Sequence, residues 1–236
     1  MASSLAAERA AKNAPPVPRE GSDAPAPEMR SDPADAVRLK GPASDVSLSL
    51  TQMPGVKEGQ RLPNGDIFFD SDRGFAVVAR RVESAVRVQV VMEGPVAPRD
   101  YAFRLKGRSA QVQPDGSVQI LPRGAGPKAA AAQVAKPWAF DAAGKPVATR
   151  YTVQGDTIVQ TVNPGPDAKY PIVADPTFGH TYLIPTMYLN KSETSRARNA
   201  GYVAWLCGAI PAPFSVLCAG NVAIVQKGAR DAYNAG

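Results

Sequence analysis

The chain has 236 residues, 44% of them hydrophobic, with 23 prolines and 20 glycines. Its size suggests one or two domains. So much proline argues against a compact helical protein, because proline is barred from helix interiors and central strands. The net charge of +6 is not concentrated at the N-terminal end, since the first fifty positions of the chain hold six basic and seven acidic residues. Elsewhere the cations stand singly or in pairs between apolar positions, as in Ala79-Arg80-Arg81-Val82, the spacing of a solvated strand face. A nucleic-acid groove needs clustered cations among exposed aromatics, and aromatics are only 7% of this chain, so no nucleic-acid partner is expected.

Residues 1–44 are rich in Ala, Pro, Asp, Glu and Arg, with no aromatic side chain and little β-branched content. Such a segment buries too little apolar surface to offset the entropy of ordering it, so a disordered arm is expected. Leu5 to Lys12 has the composition for a helical turn or two. Met1 is not followed by the apolar core of about 7–15 residues that a signal peptide carries, so no export signal is visible in this chain.

From Asp45 the pattern takes period two. Val46-Ser47-Leu48-Ser49-Leu50 alternates as a strand with one wet face does. Asn64-Gly65 marks a tight hairpin leading into Ile67-Phe68-Phe69. Phe75 to Ala79, Val86 to Met92 and Tyr101 to Leu105 read as further strands. Pro114-Asp115-Gly116 and Gly155-Asp156 each sit between two alternating runs and predict hairpins. Strands recurring with turn chemistry between them give residues 45–176 as a β-rich domain, an antiparallel sandwich or open barrel. Arg123 to Ala135 reads as a loop. Trp138 and Phe140 form either a ligand platform or, more in keeping with their place beside a hairpin, core plugs.

Residues 177–236 carry a different pattern, which gives an α+β fold with a helical hairpin at its C-terminal end. Asn190 and Glu193 have the spacing of a capping box, predicting a helix from Lys191 to about Leu206. Pro211 and Pro213 break it, and a second helix runs to about Asn234. Cys207 and Cys218, the chain's two cysteines, flank that corner and form either a disulfide staple or two buried free thiols. A staple would stabilise the fold by about 3 kcal/mol and persists only in an oxidising compartment. Residues 199–226 hold no charged side chain, a run longer than the roughly 20 residues that cross a bilayer. Pro211, Pro213 and Asn221 within it favour a buried soluble hairpin, with membrane contact through 199–226 as the alternative.

Chemistry-bearing motifs are sparse. His180 is the single histidine, and two cysteines with one histidine fall short of a structural zinc site. Neither cysteine has a histidine near it in sequence to act as base. No nucleophile elbow, phosphate loop or dinucleotide fingerprint occurs. Asp70 and Asp72 stand in turn-like sequence, where aspartate is favoured for local hydrogen bonding. The reading leans away from an enzyme and expects no cofactor.

The stretch from Lys136 to Pro176 resembles a segment shared by uncharacterised exported proteins of actinobacteria. Those proteins carry a Pro-Trp-Ala-x-Asp-Ala stretch, a Tyr-x-Val hairpin and a "YPVVADP" box. The matching positions here are Pro137, Trp138, Ala139, Asp141, Ala142, Tyr151, Val153, Tyr170, Pro171, Val173, Ala174, Asp175 and Pro176. Lys191 to Thr194, the two cysteines and Ala229 to Tyr233 resemble the helical tail of some of them. The resemblance spans roughly residues 45–236 and brings no activity with it. It implies secretion to the cell envelope or beyond, the setting in which the Cys207–Cys218 staple would persist. The function expected is binding or structural, towards a protein or cell-envelope partner. The alternative is a membrane-active or antibacterial effector whose payload is residues 182–236.

Overall fold

The computed structural model describes residues 6–7, 26–40, 45–82, 85–124, 132–179, 195–196 and 198–199. The chain divides into two compact units, Met1–Tyr182 and Leu183–Gly236. The first holds short strands β1 (Glu28–Met29), β2 (Val37–Leu39), β3 (Val46–Ser49), β4 (Gln60–Arg61) and β5 (Ile67–Phe69). Two long strands follow, β6 (Phe75–Val82) and β7 (Ala85–Met92), then β8 (Asp100–Leu105), β9 (Arg108–Val112) and β10 (Val118–Pro122). After them come β11 (Ala132–Val134), β12 (Trp138–Phe140), β13 (Ala148–Gln154), β14 (Thr157–Asn163), β15 (Ile172–Asp175) and β16 (Thr177–Gly179).

Every pairing among the described strands is antiparallel. One sheet runs β1-β2-β3-β8-β14-β13. The other runs β4-β5-β6-β7-β16-β11-β10-β9, with β15 also beside β7 and β12 beside β15. One continuous apolar core joins inward residues of both sheets, Leu48, Phe103 and Ile158 from the first, and Val77, Val88 and Phe178 from the second. The architecture is therefore sandwich-like, as the alternating pattern predicted.

The three expected hairpins form on the expected residues. Gly65 (φ 87°) turns β4 into β5, with Asn64 Oδ1 accepting from the Asp66 amide. Gly116 (φ 88°) turns β9 into β10, and Asp115 Oδ1 accepts from both the amide and the hydroxyl of Ser117. Gly155 (φ 62°) lies in the two-residue turn that puts Gln154 opposite Thr157.

Two expected boundaries shift. Ordered structure begins before residue 45, since β1 and β2 extend the first sheet and a 3-10 turn at Pro33–Asp35 packs beside them. Met29, Ala36, Val37 and Leu39 of this segment join the core, and polar anchoring adds to them. Asp35 accepts from Arg30 at 3.0 Å and Arg38 at 2.7 Å and is also bonded by Ser47 of β3. The β domain also runs past Pro176, because β16 pairs with both β7 and β11. Proline removes one ladder donor without ending the strand, as the Pro176 carbonyl still accepts from the Val88 amide at 2.9 Å.

Of the expected helix from Lys191, Ser195 and Arg196 are helical, and the chain is already in a turn at Arg198. The rest of that expected helix lies outside the described residues. The second helix, His180, Cys207 and Cys218 lie outside the described residues. Among the described residues no helix is long and apolar enough to cross a membrane.

Candidate functional site: a buried Arg87–Asp175 cluster

The two sheets differ in what covers their outer faces. On the first, Asp100, Arg104, Arg150 and Thr152 meet solvent, as period-two alternation requires. On the second, the outward positions of β7 are Arg87, Gln89 and Val91, and all three are buried. Arg87 and Gln89 alternate with Val86, Val88 and Val90 in the sequence and so read as a wet face. The structure corrects that reading. The signal against it lies one strand earlier, where Ala76 and Val78 leave β6 apolar on both faces, as in strands buried on both sides.

Register assembles the cluster. Val173 stands opposite Val91, Thr177 opposite Arg87 and Trp138 opposite Asp175. Arg87 Nε lies 3.2 Å from Asp175 Oδ2 and 3.4 Å from the Thr177 hydroxyl. That hydroxyl donates to Asp175 Oδ2 at 2.8 Å. The Arg87 guanidinium carbon sits 5.8 Å from the Trp138 ring centroid, a cation–π distance. Trp138 in turn packs on Phe140 at 5.4 Å. From the core side, Tyr151 of the first sheet donates its hydroxyl to the Asp175 carbonyl at 3.1 Å, tying the two sheets together.

Asp175 has no exposed surface. Burial pushes its carboxyl up to about 7, against the pull of Arg87, Thr177 and Trp138. Desolvation therefore outweighs the ion pair, as it does where two charges share a low-dielectric interior. Burial, with the Asp175 charge beside it, also raises the Tyr151 hydroxyl well above its ordinary value. Chemically the cluster can hold a proton near neutrality. Its carboxyl has no solvent-facing side from which a substrate would approach.

Asp141, another residue of the resembling stretch, works differently. Its Oδ1 accepts from the amides of Ala143 and Lys145 at 2.9 Å each, and its Oδ2 from the Lys169 amide at 3.1 Å. These backbone donors, Lys169 first, hold its carboxyl below the usual carboxylate range. Asp141 so fixes the loop after β12 against the segment that enters β15.

The remaining candidates do not converge. Trp138 is buried in a second, outer apolar cluster with Val78, Val91 and Val173, so it plugs a packed face as expected, though not the main core. Asp70 pairs with Lys57 at 3.0 Å and Asp72 with Arg73 at 3.4 Å, both exposed in turn and loop structure. Among the described residues no group of three His, Cys, Asp or Glu side chains stands close enough to hold a metal ion. Arg87, Gln89 and Thr177 escaped the sequence reading. The signal that could have found them was Asp175 itself, a charge next to the apolar run Ile172-Val173-Ala174 that needs a partner once buried.

Fold and site together define an antiparallel β-sandwich with a polar cluster sealed under one face. Compared with known proteins, the chain matches no family model, no curated protein and no solved structure.

Proposed function

We propose that the protein is a non-enzymatic binding or structural protein of the cell envelope or extracellular space. In this reading it is related to the exported actinobacterial proteins that share the box from Tyr170 to Pro176. The observation that carries it is the enclosure of Asp175. The carboxyl best tuned for proton transfer is sealed from solvent and committed to Arg87 and Thr177, the arrangement of a structural ion pair. The wet outer face of the first sheet, with Asp100, Arg104 and Arg150, is the surface offered to a protein or envelope partner.

The C-terminal unit completes the protein as a helical hairpin stapled by Cys207 and Cys218, which suits an oxidising compartment. Mass spectrometry of the culture supernatant and envelope fractions tests the reading. The expected result is the protein outside the cell, with a peptide pair joined through Cys207 and Cys218. Recovery from cytosol alone, with both thiols free, overturns it. Release of dye from anionic liposomes by the intact protein would replace it with the membrane-active reading of residues 182–236.

A further inference from the structure

The outer apolar face of the second sheet needs a cover. Val78 of β6, Val91 of β7, Trp138 of β12 and Val173 of β15 form one buried cluster there, with Phe68 and Phe140 packed against it. The described residues from outside the sheet that join this cluster are Ala6 and Ala7, in helical conformation. Ala7 is fully enclosed, and its carbonyl accepts from Gln89 Nε2 at 3.0 Å. Gln89 lies in a cross-strand row with Phe68 and Val78, and is itself fully buried. Its Oε1 has no partner among the described residues. A carboxamide at the centre of an apolar face, bonded to the backbone of a distant segment, is a recognition contact: it fixes where the segment lies.

We propose that this face is the docking site for the chain's own N-terminal segment, anchored there through Ala6 and Ala7. The sequence repeats the small residues at Ala10 and Ala11, four positions beyond Ala6 and Ala7, with Glu8 and Arg9 between the two pairs and Lys12 after them. Alanines let a helix backbone approach the Val and Trp side chains closely, which the enclosed Ala7 reflects. Ala26 follows Ala7 by nineteen residues, a tether reaching about 65 Å when extended, so one chain can supply both sheet and strap. A tether of that kind keeps the segment at roughly millimolar effective concentration beside its site. The strap is therefore a ligand held in cis. Displacing it opens a surface on which Trp138 is the central aromatic.

The test uses the full chain carrying Trp205→Phe, so that Trp138 is the sole indole. Ala7→Glu puts a charge at an enclosed apolar position and displaces the strap. A fluorescein-labelled peptide of residues 1–12 then binds the Glu variant at least tenfold more tightly than the unsubstituted chain, whose site is filled. The same peptide carrying Ala7→Glu does not bind, and acrylamide quenching of Trp138 at least doubles in the variant protein. Ala7→Leu, which overpacks the same position without a charge, gives the same displacement should the Glu variant fail to fold. Equal quenching in all forms with no peptide binding overturns the proposal. A dimer by light scattering in which the segment crosses to a second copy also overturns it, since the assignment is to the same chain.

Discussion

Arg87 and Asp175 meet at 3.2 Å from neighbouring strands, with the indole of Trp138 over the guanidinium, and both charges are buried. A pair held this way is costly to form and more costly to break. Arg87→Met keeps the length and apolar stem of the side chain but strands the carboxyl. At about pH 8, where the carboxyl is ionised, the expected loss is about 3–5 kcal/mol, the range for leaving one buried charge alone, and it is smaller at acid pH where the carboxyl is neutral. Arg87→Met with Asp175→Leu should recover most of that loss, because an apolar pair of similar volume removes both desolvation penalties. Urea denaturation of the two variants decides it, and equal loss in both would show that packing rather than charge dominates.

The raised carboxyl of Asp175 makes stability depend on pH in the sense opposite to an ordinary surface aspartate. Unfolded, the group titrates near 3.8; folded, near 7. Between those values the native state holds a proton that the unfolded chain has lost. This contribution is complete below about pH 4 and disappears as the pH rises through about 7. The urea midpoint should accordingly fall between about pH 4.5 and 7 and level off above that. Asp175→Asn should flatten the slope. Exposed carboxylates held low by their partners, such as Asp70 beside Lys57, titrate below this window and do not mask it.

Asp141 carries the opposite sign. Its carboxyl is held low by the Lys169, Lys145 and Ala143 amides, so its contribution exists above about pH 4 and is lost as the pH falls through its folded value. Asp141→Ala should lower the melting temperature at neutral pH and have less effect near pH 3. Hydrogen exchange should locate the loosening at residues 141–145 and 168–170 rather than across the sheets.

Gly55→Ala tests a backbone constraint. Gly55 has φ 77°, and a Cβ built there would meet Asp72 Oδ1, the far end of an exposed side chain that must swing aside. Left-handed geometry alone costs a non-glycine residue about 1–2 kcal/mol. Gly65 shares the left-handed φ but has open space around it, so Gly65→Ala should lose only that amount. Thermal melts of the two variants side by side separate the clash from the backbone preference.

The sandwich was legible because local chemistry and long-range structure agree along most of it. Asn64-Gly65, Asp115-Gly116 and Gly155-Asp156 mark hairpins whose strands alternate correctly, and each hairpin forms where its residues place it. The cluster was less legible because polarity is a poor guide to exposure when partners come from remote strands. Arg87 and Gln89 look wet until Asp175 and the Ala7 carbonyl are brought to them. The first ordered strands escape a periodicity reading because they are short: β1 and β2 span two and three residues, too few for Met29, Val37 and Leu39 to stand out, and charges around Asp35 help to hold them. Asp175 carries the clearest signal in its own surroundings: a carboxylate flanked by Ile172, Val173, Ala174 and Pro176 calls for a buried cation.

The interrupted strand from Ile172 to Gly179 closes the second sheet, since β15 and β16 occupy the flank of β7 that β6 leaves free. β6 reaches β7 through a tight connection, whereas the other flank waits for a segment synthesised far later. Such non-local pairing slows folding, because a long loop must close before any contact rewards it. Until the ribosome has released the last of these strands, β7 is an open edge of valines with half its amides unpaired. A nascent or shortened chain ending before Ile172 would therefore offer that edge to any neighbouring strand.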